Sequence, residues 1–179
     1  MTIMIPAWVD GKLTPVEKLE AHVKGLRHKA VSVFVVRGDA VLMQQRALDK
    51  YHTPGLWANT CCTHPAWDET SEDCAQRRLQ EELGIEGVTC EFRHQLEYRA
   101  DVGGALIEHE LVDVFVAEAG PTLRIEPNPE EVMATKWVRL GVLEQAVAQE
   151  PHLYTPWLCI YVKEHASLIF GLLKEQADV

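Results

Sequence analysis

Two short apolar segments separated by a polar turn dominate the first third of the chain. Residues 30–36 and 40–46 are rich in β-branched and other apolar side chains, and Arg37, Gly38 and Asp39 lie between them. Such runs around a short turn that contains glycine are typical of a β-hairpin. We therefore predict a hairpin here. Further strands are predicted over 88–98, 107–117 and 131–138.

One later segment has the apolar spacing of an amphipathic helix. Residues 71–83 begin with acidic side chains and place Ala75, Leu79 and Leu83 on one face. Acidic residues favour the first turn of a helix, and glycine favours the position just after the last turn. We predict a helix over 71–83 that ends before Gly84.

The last part of the chain, residues from about 140 to 176, is predicted to be helical. It contains a short helix over 140–149 and a longer one that begins at Thr155 and Pro156 and continues past Leu168. Threonine followed by proline is a favourable N-cap and first-turn pair. The order of strands, helix, strands and helices predicts an α+β fold with a mixed or antiparallel sheet rather than regular βαβ units.

Length and charge limit the architecture and the partners. With 179 residues, 47% of them hydrophobic, the chain is predicted to form a single domain over residues 1–179. A net charge of −10 repels a phosphate backbone, so nucleic acid is excluded as a partner. A phosphorylated ligand would be a small molecule held by a local group of cations. Both a monomer and a homodimer are compatible with the sequence.

The cysteines and the N-terminal segment predict the compartment. The five cysteines are an odd number and include the adjacent pair Cys61 and Cys62, which is unfavourable for ordinary disulfides. The N-terminal segment contains Pro6 and Asp10 rather than a basic cap and an apolar run, and no segment approaches the ~18 apolar residues of a membrane span. We predict a reducing, cytoplasmic location.

Candidate chemistry is concentrated in the segment Asn-Thr-Cys-Cys-Thr-His-Pro at residues 59–65, which sets Cys62 two positions before His64. A thiol can donate or accept a proton, and an imidazole can bind a metal. The competing interpretation is a buried and inert cysteine, which is common for a free thiol. The adjacent cysteines exclude a CxxC zinc site.

The stretch 63–85 resembles the Nudix box. That pattern has a glycine, a glutamate after five residues and, after seven more, the run Arg-Glu-aliphatic-x-Glu-Glu-x-Gly-aliphatic. Glu69 takes the first glutamate position and residues 77–85 take the run, but Thr63 replaces the glycine and Arg78 replaces the first glutamate of the run. Because an arginine removes negative charge from a metal site that activates water, hydrolysis is disfavoured.

With these departures, the chain resembles one branch of that family, the type I isopentenyl-diphosphate isomerases. Matching stretches extend from about Lys18 to Trp157 and occur in the family's order: LRHKAVSVF, QQRALDK, TPGLWANTCCTHP, EYRAD, EHELVDVF and TPWL. The resemblance implies a Nudix-like mixed β-sheet sandwiched by helices, with N-terminal and C-terminal additions. It also implies interconversion of isopentenyl and dimethylallyl diphosphate in isoprenoid biosynthesis.

The resemblance implies two cation sites. The first would hold Mn²⁺ or another divalent transition metal, which three imidazoles and two carboxylates suit. Its matched ligands are His22, His28, His64, Glu108 and Glu110. The second would hold Mg²⁺, bound to the substrate diphosphate, to Glu82 and to the backbone carbonyl of Cys62. The positions matched to the diphosphate clamp are Lys18, Arg46, Lys50 and Arg78.

The implied reaction adds a proton at one end of the alkene and removes a different proton from the other side, through a carbocation-like species. Cys62 and Glu110 would face each other across the alkene. From ordinary pKa values of about 8.5 for a thiol and 4.3 for a carboxyl, Cys62 donates and Glu110 accepts, but Tyr98 could relay a proton through Glu110 instead. Trp157 would stabilise the cation through its ring face, unless it is simply a core residue.

Two other functions fit parts of the sequence. A Nudix pyrophosphohydrolase would share the fold and the Mg²⁺ helix but would not require Cys62. A non-catalytic nucleotide-binding or metal-binding module would require neither Cys62 nor Glu110 for turnover.

Overall fold

The computed structural model describes residues 3–177, with side chains described as far as Gly171. The nine strands are β1 (Met4–Val9), β2 (Lys12–Glu17), β3 (Arg27–Arg37), β4 (Ala40–Arg46), β5 (Trp57–Ala58), β6 (Cys61–Thr63), β7 (Glu91–Asp101), β8 (Ile107–Glu118) and β9 (Val132–Arg139). The five helices are α1 (Lys18–Lys24), α2 (Ser71–Leu83), α3 (Leu140–Gln149), α4 (Pro156–Glu164) and α5 (Ala166–Ala177). A single 3₁₀ turn, Pro151–Leu153, precedes α4.

Strand β3 is the centre of a nine-stranded mixed sheet. It pairs in parallel with β8 over ten residue pairs, and antiparallel with β1, β4 and β6. β7 extends the sheet beyond β8, and β9 extends it beyond β4. The predicted hairpin is confirmed, because β3 and β4 pair at Val36 and Val41 around the predicted turn. The predicted α+β class with a mixed sheet is also confirmed.

The two faces of β3 belong to two different cores. Val31, Val33 and Val35 pack in the cluster that contains α2. Ala30 and Phe34, on the opposite face, pack in the cluster that contains the C-terminal helices. Because side chains alternate along a strand, β3 separates the two helical layers. The sheet is therefore sandwiched by helices, as the resemblance implied.

Helix α2 has both of its predicted ends. The Thr70 hydroxyl accepts a hydrogen bond from the Asp73 amide at the N-terminus, and Gly84 adopts a left-handed conformation with φ 61° after the last turn. A Cβ atom at position 84 would lie 2.9 Å from Glu126, so a larger residue is excluded by contact as well as by conformation. The apolar side chains Leu79 and Leu83 are fully buried, as predicted.

The prediction of one continuous helix past Leu168 was wrong. Helix α4 ends at Glu164, His165 has φ −125°, and α5 begins at Ala166. The break reorients the chain so that Phe170 enters the core, where its ring centroid lies 4.9 Å from that of Phe34. Thr155 occupies the N-cap position of α4, but its hydroxyl makes no capping hydrogen bond.

The N-terminal addition contains elements that the hydropathy pattern did not predict. β1 and β2 form a hairpin around Asp10 and Gly11, both with positive φ, and α1 follows directly. The side chain of Glu17 caps α1 by accepting from the Glu20 amide, and Gly25 ends it. Helix α1 of this addition brings two predicted site residues, Lys18 and His22, to the sheet.

The strand predicted over 88–98 begins at Glu91, where its ladder with β8 starts. None of the helices within residues 3–177 is long and apolar enough to cross a membrane. The single domain over 1–179 stays a prediction, and its first two and last two residues lie outside the described part of the chain.

Candidate active site

The predicted catalytic and substrate-binding residues line one cavity. These residues are Lys18, Arg46, Lys50, Cys62, Arg78, Tyr98, Glu110 and Trp157. Three predicted metal ligands, His64, Glu82 and Glu108, line it too. The other two, His22 and His28, are fully buried beside it. The elements that meet here are distant in sequence and include α1, α2, α4 and five strands.

Strand β3 sets the relative position of the proposed acid and base. Cys62 on β6 pairs with Ser32, and Glu110 on β8 pairs with His28. Ser32 and His28 are four residues apart, so both project from the same face of the strand. The sheet register therefore directs the thiol and the carboxylate to the same side.

Four of the five predicted transition-metal ligands have donor atoms within 4.8 Å of one another: His22, His28, His64 and Glu110. The Nε2 atoms of His22 and His28 are buried and have no hydrogen-bond partner. Their Nδ1 atoms each lie 2.7 Å from a backbone oxygen, of Lys18 and Leu26 respectively. Nδ1–H donation to a carbonyl leaves the Nε2 lone pair free, which is the tautomer that binds metals. The donor set therefore fits a divalent metal ion.

The fifth predicted ligand, Glu108, lies outside this group of four. Its carboxylate forms a neighbouring group with His22 and His52. Glu108 and Glu110 are separated by about 7 Å along β8, at 3.3 to 3.4 Å per residue, and Glu108 lies outside the group of four. Sequence analysis missed His52, which lies in the loop after β4 and belongs to no periodic pattern.

Tyr98 links the two carboxylates, because its hydroxyl lies 2.8 Å from Oε2 of both Glu108 and Glu110. Burial opposes ionisation of Glu110, but the neighbouring His28 and His64 outweigh it and hold the pKa of this carboxyl well below its usual value. Burial and the charge of Glu110 raise the pKa of Glu108 well above its usual value. Burial also raises the pKa of Tyr98, so the phenol keeps its proton and can donate it to Glu110.

Two of the buried imidazoles, His22 and His64, are neutral near neutral pH. Burial, assisted by the charge of His28, lowers the pKa of His22 to about 4. Burial also lowers the pKa of His64 well below its ordinary value. Neutral imidazole is the form that binds metals, so these side chains need no deprotonation before they can bind.

The thiol of Cys62 lies in a hydrogen-bond chain with a single possible direction. Both amide hydrogens of Asn59 are used by the backbone oxygens of Val33 and Cys61, so its Oδ1, 2.8 Å from Sγ, accepts the S–H. Sγ must then accept from the Ser32 hydroxyl at 3.1 Å.

Tyr161 completes this chain, because its hydroxyl lies 2.9 Å from the Ser32 Oγ and donates to it. Burial raises the pKa of Cys62 strongly, so the thiol is protonated and held in place. Sequence analysis missed Asn59, Ser32 and Tyr161, although Asn59 lies within the quoted Cys-Cys segment.

The four predicted diphosphate-binding cations surround the other end of the cavity. Arg78 donates to Glu82 at 2.6 Å and also approaches Glu131 at 3.3 Å. Lys50 forms an ion pair with Glu131. Burial, reinforced by the charges of Lys50 and Arg78, lowers the pKa of Lys18 to about 8. Arg78 and Glu82 are therefore neighbours on α2, as predicted.

Trp157 is almost fully buried and lines the cavity next to both ends. The Arg46 guanidinium lies 5.3 Å from its ring centroid, and the His52 ring contacts it edge-on at 5.8 Å. Arg46 also donates to the backbone oxygen of His52 at 3.1 Å. The indole thus belongs to the hydrophobic core and also contacts cationic and aromatic side chains of the cavity.

Comparison with known proteins identifies the family of the chain. Residues 26–158 match the NUDIX domain family. A protein of Roseobacter denitrificans named isopentenyl-diphosphate Delta-isomerase is 72% identical over 97% of this chain and 98% of its own length. A protein of the same name from Dinoroseobacter shibae is 64% identical over 96% of this chain and 97% of its own.

Solved structures share the fold at low sequence identity. A crystal structure of a Deinococcus radiodurans protein has a TM-score of 0.70 at 13% identity, covering 89% of this chain and 97% of its own. The MutT NUDIX hydrolase from Burkholderia pseudomallei has a TM-score of 0.59 at 21% identity, covering 78% and 98%. These likenesses concern the fold alone. From the domain match and the two close relatives, the chain belongs to the isopentenyl-diphosphate Delta-isomerase family of NUDIX-domain proteins.

Proposed function

We propose that this cavity interconverts isopentenyl diphosphate and dimethylallyl diphosphate by protonation and deprotonation of the alkene. The observation that carries the proposal is that one cavity is lined by a thiol, Cys62, which donates to Asn59, by a carboxylate, Glu110, which contacts His64, and by four cationic side chains. An alkene that shifts its double bond needs a proton donor and a proton acceptor at different carbons. The cations match the charge of a diphosphate.

The proposed direction of proton transfer rests on which of the two groups carries a proton. Cys62 carries a proton, so it is suited to protonate the terminal carbon of isopentenyl diphosphate. Glu110 is ionised, so it is suited to remove a proton from the carbon on the other side of the double bond. Tyr98 donates to Glu110 and can return a proton in the reverse direction. The roles exchange when dimethylallyl diphosphate is the substrate.

The carbocation-like species requires a site that is shielded from water. The buried rings of Trp157 and Tyr98 line the cavity and limit access. The face of Trp157 can stabilise the developing positive charge by roughly 2 kcal/mol or more when desolvated. These residues would keep the cation from being captured by solvent.

The proposed cation sites have different chemistry. The imidazoles and carboxylates around His22 suit Mn²⁺ or another divalent transition metal, whose positive charge would keep Glu110 ionised. At the other end, Glu82 and the Cys62 carbonyl are proposed to hold Mg²⁺ together with the diphosphate oxygens. Lys18, Arg46, Lys50 and Arg78 are proposed to bind the same diphosphate.

The test is a direct assay of purified protein with isopentenyl diphosphate, Mg²⁺ and Mn²⁺, with the product identified by NMR. We expect the dimethylallyl isomer and, in D₂O, deuterium in its new methyl group. Release of phosphate or pyrophosphate without isomer would support the hydrolase instead. Arg78 argues against that alternative, because it neutralises Glu82 on the helix where hydrolases concentrate negative charge.

We also propose a reducing, cytoplasmic location for this activity. All five cysteines are free in the structure, and Cys74 on α2 and Cys61 on β6 are buried in the same core cluster. This arrangement suits a compartment that keeps thiols reduced.

A further inference from the structure

One aromatic side chain of the cavity is exposed to solvent, and the mechanism described above does not use it. Tyr51 lies in the loop after β4 and lines the cavity together with the predicted site residues. It is 44% exposed, whereas Tyr98 and Trp157, which also line the cavity, are 7% and 2% exposed. Because part of its surface faces the cavity and part faces solvent, Tyr51 lies at the mouth of the cavity.

The ring of Tyr51 spans the two groups of proposed site residues. Toward the proposed metal ligands, it contacts the rings of His22 and His52 edge-on, at centroid distances of 5.9 and 4.3 Å. Toward the proposed diphosphate-binding cations, the Lys18 ammonium lies 5.5 Å from its ring centroid, within the roughly 6 Å of a cation–π contact. All three contacts are made by the ring and none by the hydroxyl.

The loop is fixed on both sides of Tyr51. Before it, the Lys50 ammonium forms an ion pair with Glu131, and the Lys50 amide donates to the Ala47 oxygen at 3.3 Å. After it, the backbone oxygen of His52 accepts from the Arg46 guanidinium at 3.1 Å. An exposed tyrosine on an unrestrained loop would have no defined position, whereas this one is held at the mouth by both its neighbours and its ring contacts.

We propose that the ring of Tyr51 closes the mouth of the cavity over the reacting alkene and keeps water from the carbocation-like species. This inference rests on the isomerase function proposed above and adds a residue to it. A substrate whose diphosphate binds the cations and whose alkene meets Cys62 and Glu110 would extend between the two groups that the ring spans. Exclusion of water by a side chain at the mouth would then decide the fate of the cation.

Capture of the cation by water gives a product that differs from the isomer. The water oxygen forms a bond to the tertiary carbon, and the proton that the water loses passes to the Glu110 carboxylate. The proton added by Cys62 stays on the new methyl group. The sum is one water added to the double bond, and the product is a tertiary alcohol that still carries the diphosphate. Its appearance therefore reports water at the reacting carbon.

The products of turnover test this role of Tyr51. We expect Tyr51→Ala to form the tertiary alcohol beside the dimethylallyl isomer, with ¹⁸O in the alcohol when the reaction runs in H₂¹⁸O. Tyr51→Phe keeps the ring and should form the isomer alone. Loss of the ring should also raise KM roughly 2- to 5-fold, the effect of removing one exposed cation–π contact, here with Lys18. Leu48→Ala is the matched control, because Leu48 is exposed in the same loop but lies outside the cavity.

Access to Cys62 provides a second measurement that needs no substrate. N-ethylmaleimide should alkylate Cys62 faster in Tyr51→Ala than in the unmodified protein, as followed by peptide mass spectrometry, and Tyr51→Phe and Leu48→Ala should keep the unmodified rate. The inference is overturned if Tyr51→Ala turns over without forming alcohol, if Tyr51→Phe forms as much alcohol, or if alkylation of Cys62 is unchanged in Tyr51→Ala. Absence of isomer with the unmodified protein would instead contradict the proposed function, so the two failures are distinguishable.

Discussion

The two ends of the cavity differ in exposure and in whether their polar groups have partners within the protein. At the metal end, His22, His28 and Glu108 are at most 3% exposed, and buried ring nitrogens have no protein partner. At the diphosphate end, the Lys50 and Arg78 side chains are 20% and 19% exposed and are already paired with carboxylates. The first end therefore presents unpaired ring nitrogens that suit the proposed metal ion. In the proposed function, the cations of the second end exchange protein carboxylates for substrate oxygens.

This difference predicts that the two ends affect different kinetic constants. Groups beside the metal end act on the proton transfers, so their loss should lower kcat. Groups at the diphosphate end are proposed to bind an anion that does not change during the reaction, so their loss should raise KM.

The largest effect is expected from Cys62→Ser. A serine hydroxyl keeps the position but is a far weaker acid, so kcat should fall by roughly 10²- to 10⁴-fold, the contribution of a positioned general acid. Steady-state kinetics measures the change, with Cys159→Ser as the control because Cys159 lies outside the cavity. Retention of near-normal kcat by Cys62→Ser would remove the thiol from the mechanism.

A smaller effect on a different constant is expected from Arg78→Gln. Loss of charge-assisted hydrogen bonds worth about 1.5 to 3 kcal/mol should raise KM roughly 10- to 100-fold, with a lesser change in kcat. Inhibition by inorganic pyrophosphate should weaken in parallel. The control is Arg77→Gln, because Arg77 lies on the outer side of the same helix and pairs with Glu69, which precedes the helix. Equal effects at the two positions would contradict a specific diphosphate contact.

The pH dependence of kcat/KM sharpens the comparison further. Because burial lowers the pKa of Lys18 to about 8, half of its charge is lost at that pH, and kcat/KM should decline as the pH rises above it. Arginine stays charged, so Lys18→Arg should shift this decline to higher pH. Lys24→Arg, on the exposed part of α1, should leave it in place. An unchanged profile in Lys18→Arg would assign the decline to another group.

The smallest effect is expected from Tyr161→Phe. It removes the hydroxyl that donates to Ser32 and orients it toward Cys62, at a cost of about 0.5 to 1.5 kcal/mol, so kcat should fall roughly 2- to 10-fold with KM unchanged. Tyr154→Phe is the control, because Tyr154 lies outside the cavity. A similar fall in both variants, or a change in KM alone, would contradict a role through the thiol.

The parts of the fold that were predictable have strong local signals. Helix α2 combines a 13-residue amphipathic pattern with residues suited to both caps, so its bounds followed from sequence. Helix α1 has only seven residues, exposes Leu19 and Val23 and buries His22, so it presents no apolar stripe. Contacts with the sheet, rather than its own pattern, select its conformation.

The candidate site residues that were predicted also had a signal in the sequence. Cys62, Glu110 and the cations were identified because the matching stretches occur in the order of a known family. His52, Ser32 and Tyr161 have no such signal, and each acquires a role only through neighbours far along the chain. Tyr161, for example, is 129 residues from the hydroxyl it contacts, a distance that no local pattern spans.

The shared pairing of β3 with β6 and β8 has a consequence for how this enzyme can vary. One added or deleted residue between His28 and Ser32 would turn one of these two positions to the opposite face of the sheet. The thiol and the carboxylate would then be separated by the sheet itself. Surface loops can change in length without this penalty, so natural variants and engineered chimeras should preserve the spacing within this strand above all others.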